Sequence, residues 1–455
     1  MKPIDGAADL AFASIAALSR RVRTGELSPL DLTEACLARI AAFSKLGCFA
    51  ALAAERARAE ARAAAVELSA GRWRGPLHGI PFGLADAIDA RAVPTGLGVA
   101  ALAGRVLPER DATVAARLAD QGAVLVGKLQ IFPPAAAHGA GGAPAGAVRS
   151  PWDPALPAGA PSPGPAAAVA AGLVPFAIGV HGTEPDTAAG ECGVTALRPT
   201  YGVLPRSGAV LGSFTLAALG LVARSAEDCA LVLDALAGSD PRDPSSVGAP
   251  RGIGRLAAEL PKGLRIGIVE QPAPGPEARE AWAGVQEALR AAGALLQPAS
   301  LPELPWASIA GVLAGAEATV LCEDVLGIAV PGATAGAASA ASAADYVRAA
   351  RGRSEAQRAL ARLLERHDLL LAPAPRPGAS SEPFAAAVAL GGLPALSFPI
   401  GLAGARPLAA TLVAPPLEEA RLLSAVLALQ ARTSHHLHRP PGAAVPAEVA
   451  SVTRP

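Results

Sequence analysis

From about residue 76 the chain alternates helical segments with short runs of small apolar residues, and that alternation restricts it to a layered α/β architecture. Gly79-Ile80-Pro81-Phe82 reads as a short buried strand, and residues 112–121 carry helical spacing and lead directly into an apolar strand at 123–126. The same pairing recurs at residues 226–237, and at 355–367 running into Leu369-Leu370-Leu371. The first seventy residues read differently. Ser28 suits an N-cap, Pro29 the first turn, and Asp31 completes a capping-box pattern. Leu32, Cys36, Leu37 and Ile40 then recur at helical spacing, and residues 50–68 continue as an Ala/Arg/Glu helix. The expected organisation is a helical segment, 1–70, packed on an α/β core, 71–455, as one structural unit. The core is expected to be a mixed, mostly parallel sheet wrapped by helices.

Several function classes are disfavoured by composition. The 39 basic and 39 acidic residues cancel, and the basic ones form no cluster, so no nucleic-acid footprint is expected. The five cysteines are widely spaced, with no Cys-x-x-Cys pair, which argues against disulfides and a zinc site and for a reducing, cytoplasmic setting. The N-terminus lacks the charge-then-apolar order of a signal peptide. The uncharged run 384–405 is broken by prolines and glycines and reads as buried strands, so no membrane association is expected. No phosphate-binding loop or dinucleotide fingerprint is present, and no cofactor is expected.

An ordered set of blocks then narrows the reading. These are Gly75-Pro76-Leu77-His78-Gly79-Ile80-Pro81, Asp111-Ala112-Thr113-Val114 through Gly127-Lys128, and Arg149-Ser150-Pro151-Trp152-Asp153-Pro154. AAAVAAGLVP at 166–175, Cys192-Gly193, Leu197-Arg198-Pro199-Thr200-Tyr201-Gly202, Ala223-Arg224-Ser225, residues 368–373 and GLPALSFPIG at 392–401 follow. In this order they resemble the amidase-signature family, in the style of bacterial carboxybiuret hydrolases and amidotransferase A subunits. The resemblance implies that family's fold and a chemistry with three parts: a nucleophilic serine, a relay serine on a cis peptide, and a neutral lysine as base. A serine hydroxyl is a weak nucleophile without such a base, and backbone N–H groups must hold the oxyanion.

The resemblance places Ala85 where the lysine belongs, in Leu84-Ala85-Asp86, and Pro161 where the relay serine belongs. The nucleophile position falls on Pro185 counting forward from the AAGLVP block, or on Glu184 counting back from Cys192-Gly193. Pro133, Thr215-Leu216-Ala217 and Thr411 stand at further departures. The residues left to form a pocket are Ser162, His181, Gly182, Thr183, Glu184 and Asp186, with His138 nearby in sequence. Their spacing matches no metal motif, and no metal is expected. Lys128, His78 and Cys192 read as supporting residues. The expected function is that of a non-catalytic amidase homologue, a pseudoenzyme that binds a small amide-like ligand or associates as a homo-oligomer or with a partner subunit. The alternatives are an amide hydrolase of non-peptide carbon–nitrogen bonds with a rebuilt site, and a gene product without a selected role.

Overall fold

The structure is a computed structural model that describes residues 10–99, 102, 107–133, 147–182, 187–250, 252–253, 256, 259–269, 275–325, 327, 341–374 and 383–442. Its helices are α1 (Ile15–Arg23), α2 (Pro29–Ala42), α3 (Ala54–Ser69), α4 (Thr113–Asp120), α5 (Pro163–Ala170), α6 (Thr187–Cys192), α7 (Ala226–Leu236), α8 (Pro276–Ala291), α9 (Trp306–Val320), α10 (Ala343–Arg366), α11 (Pro383–Gly391) and α12 (Glu419–Gln430). The strands are β1 (Phe49–Leu52), β2 (Pro81–Ala85), β3 (Val124–Leu129), β4 (Phe176–His181), β5 (Thr195–Arg198), β6 (Ala218–Ala223), β7 (Arg265–Val269), β8 (Leu295–Ala299), β9 (Leu369–Pro373), β10 (Ala395–Ala403) and β11 (Arg406–Val413).

All eleven strands join one sheet in the order β1-β3-β2-β4-β6-β5-β10-β11-β9-β7-β8. The sheet is mixed, as expected, but the parallel pairs sit on its two flanks. The pairs β2–β3 and β2–β4 are parallel on one side, and β7–β8 and β7–β9 on the other. The middle, β4–β6–β5–β10–β11–β9, is antiparallel throughout. The expected bias toward parallel pairing came from the helix–strand units, which do make the flanks. The central strands have the same apolar composition, so their direction is set by chain connection rather than by local pattern.

Local signals place several helices well. Ser28 caps α2 by accepting from Leu30 N at 3.1 Å. The reciprocal capping box forms elsewhere, at Ser342 and Asp345 at the start of α10. Two expectations are corrected. The helix expected from residue 50 begins only at Ala54, because residues 49–52 pair with β3 as an edge strand. The run 384–405, expected as strands, is α11 followed by β10. An unbroken apolar run has no period by which helix and strand can be told apart. Among the described residues one segment, Trp306–Glu323, is apolar and long enough to cross a membrane. In this fold Trp306, Ile309, Ala310, Leu313 and Ala314 of that segment share a hydrophobic cluster with Leu360 of α10 and Phe384 of α11.

The part of the fold that matters for function is α5, whose eight residues are all buried. A Cβ at Gly164 would lie 2.5 Å from Gln130 O and 2.7 Å from Cys48 O. Only glycine lets the helix start this close to the end of β3. Asp228 of α7 accepts from Ile15 N at 2.7 Å and ties down the start of α1.

Candidate functional site

The parallel strands β2, β3 and β4 end together, and the α5 N-terminus and the segment before it lie against those ends. The crevice beyond the carboxyl ends of such strands is where open α/β sheets bind ligands. Ala85 closes β2, fully buried. His181 closes β4, and Gly182 follows it. The Ala160–Pro161 bond is cis. Ala160 O accepts from Thr187 N at 3.0 Å and Ala188 N at 3.1 Å, while Ala160 N donates to Thr187 Oγ1 at 3.0 Å. These bonds dock α6 onto the turn that precedes α5. The structure thus brings Ala85, Pro161, Ser162, His181 and Gly182 to one end of the sheet. Thr183, Glu184, Pro185, Asp186 and His138 lie outside the described residues.

Ser162 is buried, and its hydroxyl is engaged on both sides. Oγ donates to Val180 O at 2.8 Å and accepts from Val180 N at 2.9 Å. It stands over Gly179, where a Cβ would come within 3.1 Å of it. In this arrangement the hydroxyl works as a clamp between α5 and β4. A Ser162→Ala protein is expected to lose about 1–3 kcal/mol, because Val180 is left with a buried donor and acceptor to satisfy. Urea unfolding of the two proteins tests this, and a change within error would mean that water replaces both bonds.

The nearest lysine is on the wrong face to replace a base at position 85. Parallel pairing sets Leu84 beside Lys128 and Ala85 beside Leu129. Side chains alternate along a strand, so Lys128 projects with Leu84, away from Ala85. Gly179 follows Ile178, the partner of Leu84, and therefore belongs to the Ala85 face with Ser162 above it. Lys128 is sealed from solvent and donates to Thr95 Oγ1 at 2.9 Å and to Pro94 O at 3.4 Å. Its Nζ lies 3.7 Å from Asp86 Oδ1. The Asp86 carboxylate also accepts from Gly96 N at 3.1 Å and Gly98 N at 3.2 Å, and Thr95 donates to Asp89 at 2.9 Å. Burial pulls the Lys128 ammonium down to about 8, against the pull of Asp86 and Asp89. Burial likewise raises the Asp86 carboxyl, opposed by the Gly96 N–H and Lys128. The network ties the loop after β2 to β3.

His181 is buried against β6: a Cβ at Gly220 would lie 2.0 Å from its Nε2. Burial, with Arg198 alongside, pushes its imidazole down to about 3 and keeps it neutral. Arg198 was visible in sequence only as part of a family block, yet it organises this corner. Its Nη1 donates to Gly182 O at 3.0 Å and its Nη2 to Leu216 O at 2.6 Å. It thereby joins the end of β4 to the loop before β6. Cys192 is buried, and its carbonyl accepts from Trp152 Nε1 at 2.8 Å. His78 is buried too, accepts from Arg74 N at 3.2 Å and fills the space beside Gly122.

A mixed sheet of this order, with the segment before α5 and the β4 end facing each other across its edge, defines an amidase-type α/β protein. Residues 31–423 match the family model Amidase, and the chain belongs to that family. It is 33% identical to the glutamyl-tRNA(Gln) amidotransferase A subunit of Deinococcus radiodurans, over 94% of this chain and 99% of the relative. The protein of the same name from Chloroflexus aurantiacus is 34% identical, over 95% and 99%. Among solved structures, the native peptide amidase from Stenotrophomonas maltophilia superposes with a TM-score of 0.83 at 30% identity, covering 94% of this chain and 98% of that one. A protein described as part of a vestigial complex that reveals the origins of an s-triazine catabolic enzyme gives 0.83 at 28%, covering 92% and 98%.

Proposed function

We propose that this amidase-family chain binds a small amide-like ligand, alone or with a partner protein, and does not hydrolyse it. One observation carries the reading: the end of β2 presents the buried methyl of Ala85 toward the site, and the nearby lysine, Lys128, projects from the opposite face. A serine nucleophile needs a base within hydrogen-bond reach. Pro161 brings no hydroxyl to the relay position, and the Ser162 hydroxyl is spent on Val180. A partner role is supported by relatives named as amidotransferase A subunits and by a structural neighbour described within a complex.

The second reading is an amide hydrolase with a rebuilt site, favoured by similarity to a peptide amidase across nearly the whole chain. Ammonia release from a panel of small amides and ureides separates the two. The expected result is no turnover above background from folded protein. Turnover that is abolished in a Glu184→Ala/Asp186→Ala protein would overturn the non-catalytic reading.

A further inference from the structure

Basic residues form no cluster along the chain, but the fold gathers three of them on one aromatic ring. Arg39 of α2, Arg224 just past β6 and Arg439 of the C-terminal segment place their guanidinium carbons 5.2, 4.9 and 4.7 Å from the ring centroid of Phe12. Every pair of these charges therefore lies within about one Debye length at ordinary salt. The ring is held by packing: a Cβ at Gly172 would lie 3.1 Å from Phe12 Cε1 and 2.8 Å from Ala11 O. Gly172 follows the C-cap of α5, so the cluster stands at the opposite end of that helix from Ser162 and the strand ends.

Two of the three arginines are anchored to carbonyl oxygens. Arg39 is buried, and its Nε and Nη2 donate to Ala171 O at 2.9 and 2.7 Å. Arg224 is only 9% exposed, and its Nη2 donates to His436 O at 3.1 Å. Its Nε and Nη1 make no hydrogen bond with the described residues, and neither is sealed from solvent. Asp228, in the first turn of α7, faces Arg224 but accepts from Ile15 N at 2.7 Å and makes no ion pair with it. Arg439 is exposed and forms the outer side of the cluster. Burial foremost, and then the charge of Arg439, holds both inner guanidinium groups down at about 10.

An anchored guanidinium that keeps two donors open, with two like charges alongside, suits an oxyanion of more than one charge. The planar donors match a pair of phosphate oxygens, and the added cations offset the second negative charge. We propose that the Phe12 cluster binds the phosphate group of a small molecule, with Arg224 and Arg439 supplying the donors and Arg39 the surrounding field. The site uses no residue of the strand-end crevice, so it stands or falls independently of the amide reading.

Pyrophosphate, titrated calorimetrically into the full chain at constant ionic strength, is the probe. Wild-type protein is expected to bind it saturably with a Kd below about 1 mM, and binding should weaken as salt rises. Arg439→Gln, a change at an exposed position, should weaken binding at least about ten-fold, as loss of a charge-assisted bond does. Arg224→Lys keeps the charge without the planar donors and should lose part of the affinity. Arg290→Gln, an exposed arginine on α8, should change nothing. No saturable binding at millimolar pyrophosphate, undiminished binding in Arg439→Gln, or an equal loss in Arg290→Gln overturns the assignment.

Discussion

Replacing Asp86 with alanine is expected to destabilise the protein by about 3–5 kcal/mol, the range for removing one partner of a buried ion pair. The carboxylate sits between two backbone donors, Gly96 and Gly98, and the ammonium of Lys128. Without it, two buried N–H groups lose their acceptor, and a lysine sealed from solvent keeps only Thr95 Oγ1 and Pro94 O. Asp86→Asn, which keeps an acceptor and loses the charge, should cost less. Combining Asp86→Asn with Lys128→Met should recover much of the loss, because the uncompensated charge goes as well. Urea midpoints with unchanged m-values are the readout. A cost for Asp86→Ala no larger than that of an ordinary surface substitution would mean that water enters the network and that the loop after β2 is held by other contacts.

Acid is expected to unfold this protein through His181. Its pKa is about 3 in the folded chain against 6.5 in the unfolded one. Between those values the unfolded state binds a proton that the folded state refuses, so stability falls as pH drops through the window. The full shift corresponds to roughly 3–5 kcal/mol. Asp228 works in the opposite sense. Burial raises its carboxyl to about 6, so its contribution improves as pH falls from there toward 3.8. His436, pushed down to about 4 by burial and the neighbouring Arg224, adds to the acid loss. A His181→Asn protein separates these contributions, since Asp228 and His436 stay in both proteins. Between pH 6.5 and 4.5 the wild type should lose about 2 kcal/mol more than His181→Asn. Parallel pH profiles for the two proteins would show that the imidazole is protonated without leaving its place beside Gly220.

Much of the candidate site could be read from residue order alone. The cap at Ser28 and the helix–strand units on the sheet's flanks follow from short-range spacing, which sequence records directly. So do the identities of the residues at the strand ends: Ala85, Pro161 and Ser162 could be named before any coordinate. What those residues do could not. Whether Lys128 faces Ala85 depends on one step in the β2–β3 register, between Phe82 and Gly83, and a one-residue slip moves a side chain to the other face. The two hydrogen bonds between Ser162 and Val180 depend on how closely α5 seats over Gly179.

The sequence by itself determined that this is an amidase-family α/β chain and which residue types stand at the ends of its strands, because both are properties of local order. Tertiary structure alone decided the antiparallel centre of the sheet, the face on which its buried lysine lies, and the gathering of Ser213, Thr215 and Tyr346 around Glu317. Glu317 meets Thr215 across 102 positions of chain. Contacts at that separation are fixed by how layers pack, a consequence of burying every apolar face at once that no window of neighbouring residues contains.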